Sequence, residues 1–542
     1  MNVASSHSSR VVSMASGTLV SRVSGFLRVL VLAWALGFTP LADSFNLANT
    51  VPNMLFDLVL GGIASATFIP VFVERLALDG ERRAWRSISS VVTGSVVVLF
   101  IASVLSWFLA PYIIDAFTFL QRTPSAHVTA SALAQARLVA HQQRVVATDL
   151  LRFFVPQIFF YGVIGIATAL LNIRRRFGVA TWVPVANNFI CIGVLIWFHL
   201  VDPSPVLGAL NGSRDLLWLG LGTSAGVAVQ FLCLVPSLLR SDLFRLSFRF
   251  DPKDVAVRAI GRLGSWTLLV VLANQAALFV VLAYAFGIGG GGPVSDYTYG
   301  WSIMQMPYAV VVVSVLGALT PQLAGFATDE DYEGLSERLR FGLRQSLVII
   351  VPCTLALIVL SQPLVAILLH KLDGSQHYSV GTALAVFAAG LPGFTIFQLC
   401  VRGLQSMQRA RQVFLLYVLD NAITIVLCIV LGRHSIAGLT ASVSIGYTVA
   451  AVAALVVLAR YRVNIITGIW GVHVRRSLGA SLVATAVIAV VYAVPTWTHG
   501  LLLVTRFGAS VVVGVIAYGL VVVLLRRRVR RTHSKSARLD QF

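Results

Sequence analysis

The chain has 542 residues, 57% hydrophobic and only 11% charged, with a formal net charge of +20 and a mean hydropathy of +0.86. Soluble domains carry about 25% charged residues, so this composition excludes a soluble globular protein, and no polar stretch is long enough to fold as one. In a soluble chain the charge would point to nucleic acid; here a membrane accounts for it.

The first apolar stretch runs from Val11 to about Gly37 and contains Arg22 and Arg28. At ~1.5 Å per residue, Arg22 lies roughly 16 Å from one end and Arg28 roughly 14 Å from the other. Each costs about 2.5–3.5 kcal/mol at a bilayer centre. Such residues face a wet cavity or pair with an anion. The internal arginines and the lack of a small-residue cleavage site argue against a cleaved signal peptide.

Apolar runs of about 20 residues place further spans near 41–73, 88–113, 150–172, 179–200, 214–238, 260–287, 295–323, 345–369, 380–405, 410–431, 436–459, 477–495 and 500–525, fourteen in all. With the N-terminus in the cytoplasm, cytoplasmic segments hold 31 Lys and Arg and outside segments hold eight. This asymmetry supports an even span count with both termini cytoplasmic. Short amphipathic helices are expected at 126–150 and 329–344. The five cysteines lie in apolar runs without CxxC spacing and read as small core residues.

The second span carries a polar stripe: Asp43, Asn46, Asn49, Asn53 and Asp57, spaced 3, 3, 4 and 4, share one helical face. One reading is packing glue between helices. The other, favoured by two carboxylates facing two arginines one span earlier, is a hydrated cavity. Arg22 and Arg28 are about 120° apart around their helix, so they line a broad cavity. Guanidinium groups suit phosphate. Ion pairing with Asp43 and Asp57 alone is the competing reading.

The eighth span places Ser295, Tyr299, Ser302 and Gln305 on one face, and the seventh contributes Asn274 and Gln275. The eleventh contains Asp420 and Asn421, a candidate site for a coupling cation or proton, with a salt bridge to Arg402 or Arg409 as the alternative. Gly289 to Gly292 reads as an outside turn, and Gly222 and Gly226 suit close helix packing. The basic tail from Arg526 to Arg531 fits anionic lipid headgroups. No nucleic-acid role, metal or organic cofactor is expected.

A weak repeat has an offset of 233: Leu171-Asn172, Arg176 and Asn188 align with Leu404-Gln405, Arg409 and Asn421. Pro40, Asp43 and Pro52 are echoed by Pro293, Asp296 and Pro307. The expected fold is an all-α polytopic membrane protein with two pseudo-symmetric six-helix lobes around a central cavity. They comprise residues 1–240 and 241–462, followed by two extra helices over 463–526 and a basic cytoplasmic tail over 527–542.

Ser21-Arg22 with Gly25-Phe26-Leu27-Arg28, then Ala42-Asp43-Ser44-Phe45, Val51-Pro52-Asn53 and Phe68-Ile69-Pro70, resembles the start of the MurJ/MviN family of the MOP exporter superfamily. Leu171-Asn172 with Phe177, Pro184 and Asn188 resembles its fourth and fifth helices. The resemblance implies a flippase, not an enzyme. It would carry lipid II, the undecaprenyl-diphosphate-linked peptidoglycan precursor, to the outer leaflet of the bacterial cytoplasmic membrane by alternating access. It also implies that the last two helices form a lipid-tail groove and that the protein works near cell-wall synthesis proteins. Arg22 and Arg28 map onto the family's essential arginines, and Asp43 onto its second-helix aspartate.

Gram-negative members carry a basic pair where this chain has Phe56-Asp57, and an Asp-Arg pair where it has Trp301-Ser302. The pattern is that of actinobacterial-type members, without the long cytoplasmic extension some carry. The expected substrate-binding set is Arg22, Arg28, Asp43, Asn53, Asp57 and Ser302, with transport coupled to a cation gradient or the membrane potential. The alternatives are another MOP-superfamily exporter, for a different polyprenyl-linked glycan or a drug, and, further off, a polyprenyl-dependent membrane glycosyltransferase.

Overall fold

The computed structural model describes residues 2–61, 68–78, 80–121, 129–173, 177–240, 246–288, 292–369, 374–469, 471–493 and 501–539. The described residues form helices and connecting turns, without a strand. The helices up to the middle of the chain are α1 (Asn2–Leu36), α2 (Pro40–Phe56), α3 (Ile69–Leu78), α4 (Gly80–Thr118), α5 (Ala130–Phe154), α6 (Pro156–Ile173), α7 (Phe177–Val201), α8 (Leu207–Leu210), α9 (Arg214–Leu239) and α10 (Val255–Ile288). They continue with α11 (Pro293–Pro307), α12 (Val313–Thr328), α13 (Tyr332–Leu368), α14 (Gly374–Ser406), α15 (Ala410–Leu431), α16 (Ile436–Arg460), α17 (Ile466–Ile469), α18 (Val472–Ala493) and α19 (Leu501–Leu539).

Among the described residues, 13 helices are long and apolar enough to cross a membrane. They match thirteen of the fourteen expected spans one for one. The remaining span, 41–73, is described as α2, a π-helical turn over Asp57–Gly61, and α3, with residues 62–67 outside the described set. Two expectations change in extent. The helix expected at 126–150 is α5, which runs on to Phe154 and joins α6 at Pro156. The helix expected at 329–344 is the first part of α13, one continuous helix of 37 residues whose N-cap Asp331 accepts from the Gly334 N–H. In both cases the polar sequence retains helical propensity, so the helix continues past the apolar run that marked its membrane part.

By packing, the chain divides into two compact units, Met1–Thr298 and Tyr299–Phe542. In the first, α1 lies on α7, α7 on α9, α2 on α5, and α4 on α5, α6 and α10. Small residues allow the close approach of α9 to α7. A Cβ on Gly222 would stand 2.8 Å from Val194, and one on Gly226 would stand 2.5 Å from Asn187 Oδ1. In the second unit α14 packs on α13 and α16, α15 on α16, and α18 on α19 and α13. Hydroxyls fix the last pair: Ser477 Oγ and Tyr518 OH both donate to the Val348 carbonyl, at 2.9 and 3.0 Å. Cys191, Cys400 and Cys428 are buried as expected of core residues, whereas Cys233 is exposed on α9.

The echo between the second and eighth spans extends into the backbone. Both α2 and α11 start at a proline, carry an aspartate in the first turn and contain a proline in their second half, Pro52 and Pro307. Each then passes into a π-helical turn, Asp57–Gly61 and Tyr308–Val312. The Val313 N–H reaches back five residues to the Tyr308 carbonyl. Such turns are rare and concentrate at functional sites.

Asp43 holds the head of α11 in the first unit. Its carboxylate is 2% exposed. One oxygen accepts from the Gly292 N–H at 2.8 Å; the other accepts from the Ser295 N–H at 2.9 Å and Ser295 Oγ at 2.7 Å. These amides are among the free donors of a helix N-terminus, where a negative group is favoured by the helix dipole. Gly292 has φ +111, and a Cβ there would meet the Phe38 carbonyl at 3.1 Å, so the turn entering α11 needs glycine.

Replacing Asp43 by Ala leaves two buried amides unpaired and takes away the acceptor of the Ser295 hydroxyl. We expect a loss of about 2–4 kcal/mol, read as a lowered melting temperature of the detergent-solubilised protein. Asp43→Asn restores one acceptor and should recover part of the loss. Full stability of Asp43→Ala would show that the carboxylate is not the anchor of α11.

Candidate functional site

The first helix supplies the two intramembrane cations. Its position is set by Asn188 of α7, whose Nδ2 donates to Ser24 Oγ at 2.9 Å and to the Ser21 carbonyl at 3.3 Å. Ser24 Oγ also donates to the Ser21 carbonyl at 3.1 Å. A side-chain amide thus grips the turn between the two arginines. Gly25 faces the same amide, its would-be Cβ 3.5 Å from Asn188 Nδ2.

Arg28 is half-buried, near Cys191 of α7 and Tyr161 of α6. Arg22 is exposed on the surface of the unit. Among the described residues, neither arginine forms an ion pair with a carboxylate, so the pairing with Asp43 and Asp57 is absent from this conformation. Tyr161 was not singled out in the sequence. It follows Phe159 and Phe160 in an apolar run, and nothing in that pattern distinguishes a tyrosine beside a cation from one in a core.

The polar stripe of α2 is graded from closed to open. Asp43 and Asn46 are buried at 2% and 4% exposure. Asn46 Nδ2 donates to Ser295 Oγ at 3.0 Å. Asn49 and Asn53 are half-buried, with Asn53 Nδ2 donating to the Asn49 carbonyl at 2.8 Å. Asp57, at the first residue of the π-helical turn, is exposed and accepts from Gln275 Nε2 of α10 at 3.4 Å. The two ends of the stripe therefore differ in burial. Asp43 and Asn46 act as packing glue, while Asn49, Asn53 and Asp57 present polar groups at the accessible part of the helix.

In the second unit Ser302 is half-buried on α11, next to Trp301. The Trp301 ring stacks on Tyr447 at 6.2 Å and meets Phe387 edge-on at 5.3 Å. Tyr308, Phe394 and Phe397 extend this group into an aromatic cluster. Asp420 and Asn421 are both buried on α15, Asp420 to 3% exposure. Neither salt bridge of the alternative reading forms: Arg402 Nη1 donates to Gln405 Oε1 at 3.3 Å, and the Arg409 guanidinium lies over the Tyr461 ring at 4.7 Å. Asp420 Oδ1 is buried without a hydrogen-bond partner. A Cβ on Gly446 of α16 would stand 2.9 Å from this oxygen and 2.3 Å from Thr424 Oγ1, so glycine there leaves room beside the carboxylate.

Comparison with known proteins agrees with this architecture. The profile of the family described as Lipid II flippase MurJ matches residues 32–508. The chain is 27% identical over 399 residues to the lipid II flippase MurJ of Burkholderia cenocepacia, covering 72% of each protein. Its fold is similar to a solved lipid II flippase MurJ in an inward closed conformation, with a TM-score of 0.75 at 18% identity over 95% of this chain and 99% of the other. It is also similar to an inward-facing multidrug resistance MATE family transporter of the MOP superfamily, with a TM-score of 0.64 at 15% identity over 81% of this chain and 94% of the other. The match to the family profile spans most of the sequence, from the last turn of α1 into α19, and the chain belongs to the lipid II flippase MurJ family.

Proposed function

We propose that this chain carries lipid II from the inner to the outer leaflet of the bacterial cytoplasmic membrane, with Arg22 and Arg28 receiving the diphosphate. One observation supports this most directly: two guanidinium groups stand within the membrane-spanning part of α1, and among the described residues neither is ion-paired with a carboxylate. A charge in that position needs a counter-ion or water, and a diphosphate offers two negative groups of matching geometry. Asn53 and Asp57, at the accessible end of the α2 stripe, organise the headgroup and favour its release. The 31-to-8 distribution of basic residues supports cytoplasmic termini.

Alternating access needs helices that bend. Pro52 and Pro307 each remove a backbone donor within a helix, and each precedes a π-helical turn. We assign the hinges to these two regions. Asp420 is the candidate coupling group, since a buried carboxylate with one unpartnered oxygen beside Thr424 suits a proton or a small cation.

The test is complementation of bacteria depleted of their own lipid II flippase, at matched membrane levels. Wild type should support growth. Arg28→Ala should cut lipid II export about 10- to 100-fold, the equivalent of a lost charge-assisted contact, and cause lysis. Full export by Arg28→Ala would remove this residue from the site. Failure of well-expressed wild type would favour another lipid-linked cargo.

The hinge assignment has its own test. Deleting Val310, which is 52% exposed, should convert the π-helical turn to α-helix while preserving the register on either side. We expect an unchanged melting temperature with export reduced at least about tenfold, the size of a 1.4 kcal/mol penalty on one state. Normal export by a folded deletion variant would rule the hinge out. For the coupling group, Asp420→Asn should leave lipid II binding intact and abolish the response of export to a collapsed cation gradient or potential. An unaltered response would exclude Asp420.

A further inference from the structure

An apolar cavity of about 380 Å³ opens between α4, α6 and α9 of the first unit. Val96, Ala167, Leu170, Phe231, Val235 and Leu246 are among the residues that line it. Every lining residue is apolar. Its size is within the range of small-molecule sites. An apolar void of this kind does not hold water.

Leu246 belongs to an extended strap, residues 246–250, that follows α9 and leads to α10. Hydroxyls of α4 hold the strap. The Ser247 N–H donates to Ser89 Oγ at 3.0 Å, the Arg249 N–H to Thr93 Oγ1 at 3.3 Å, and the Asp251 N–H to Ser90 Oγ at 2.8 Å. The alternate residues point elsewhere. Leu246 enters the cavity, and Phe250 covers Gly94, where a Cβ would stand 2.6 Å from its ring. Phe248 is 87% exposed, and Arg249 beside it is exposed too. An exposed aromatic next to an exposed cation is the composition of a segment at the headgroup level. A second cation, Arg240, directly follows the lining residue Leu239.

We propose that this cavity is a binding site for one acyl chain of an anionic phospholipid, whose phosphate meets Arg240 and Arg249 at the strap. An acyl chain gains no hydrophobic free energy on leaving the bilayer for an apolar wall. It is retained by dispersion contacts on three sides, which an empty cavity forfeits. Selection among lipids then falls to the headgroup, because guanidinium groups favour a net negative phosphate lipid over a zwitterionic one. The site is distinct from the arginines of α1 and from the pair formed by α18 and α19.

Native mass spectrometry of the full chain tests this. The protein is delipidated in detergent, then titrated with phosphatidylglycerol or phosphatidylcholine of identical acyl chains. Wild type should retain one phosphatidylglycerol under activation that strips other lipids, with a preference of about tenfold or more over phosphatidylcholine. Ala167→Phe fills the cavity and should abolish the retained molecule. Arg249→Ala, on the exposed strap, should keep one lipid and lose about fivefold of the preference. Equal retention of both lipids by wild type overturns the headgroup assignment. Undiminished retention by folded Ala167→Phe overturns the cavity. If Ala167→Phe does not fold, an unchanged preference in Arg249→Ala still overturns the site.

Discussion

The treatment of a few charges inside an apolar slab governs this structure. A membrane-spanning chain has no water with which to satisfy buried polar groups, so each must find a partner within the protein or line a wet space. The first unit uses both solutions on neighbouring helices. Asp43 receives three hydrogen bonds from the head of α11 and is closed off from solvent. Among the described residues Arg22 and Arg28 pair with no carboxylate, and Asn188 fixes the helix that carries them. The same constraint that locks one polar group into the scaffold is met differently by the two cations one helix earlier.

The internal repeat conserves mechanics more than chemistry. Both α2 and α11 keep the proline start, the early aspartate, the later proline and the π-helical turn. Their side chains diverge. The first unit offers arginines and a graded polar stripe, whereas the second surrounds the corresponding region with Trp301, Tyr308, Phe394 and Tyr447. The two copies share a proline and a π-helical turn and differ in the side chains that surround them.

Much of this was legible in the sequence because hydropathy and helical spacing are local properties. The spans, the cationic first helix and the shared face of Asp43 to Asp57 all follow from counting residues. What was not legible depends on partners remote in the chain. The stripe's division into a closed and an open end depends on Ser295, Gly292 and Gln275, each more than 200 residues away. The π-helical turns leave no trace in periodicity, since one extra residue per turn is lost among apolar side chains. Nor does the sequence show that the alternative pairing of Asp420 with Arg402 or Arg409 is not made, since those arginines lie against Gln405 and Tyr461.

The anchoring of α11 by Asp43 also constrains how the protein is made. Ser295 follows Asp43 by 252 residues. At a synthesis rate of about 5–20 residues per second, roughly 13–50 s separate the emergence of the carboxylate from that of its donors. During this interval α2 sits in or near the membrane with an acidic group that its own neighbours do not satisfy. A proton, a water-filled passage in the insertion machinery, or a donor from another protein must shelter it. The first unit cannot complete its fold until the ribosome has passed the midpoint of the chain, so a ribosome halted earlier yields helices without their keystone, and quality control can recognise that exposed carboxylate.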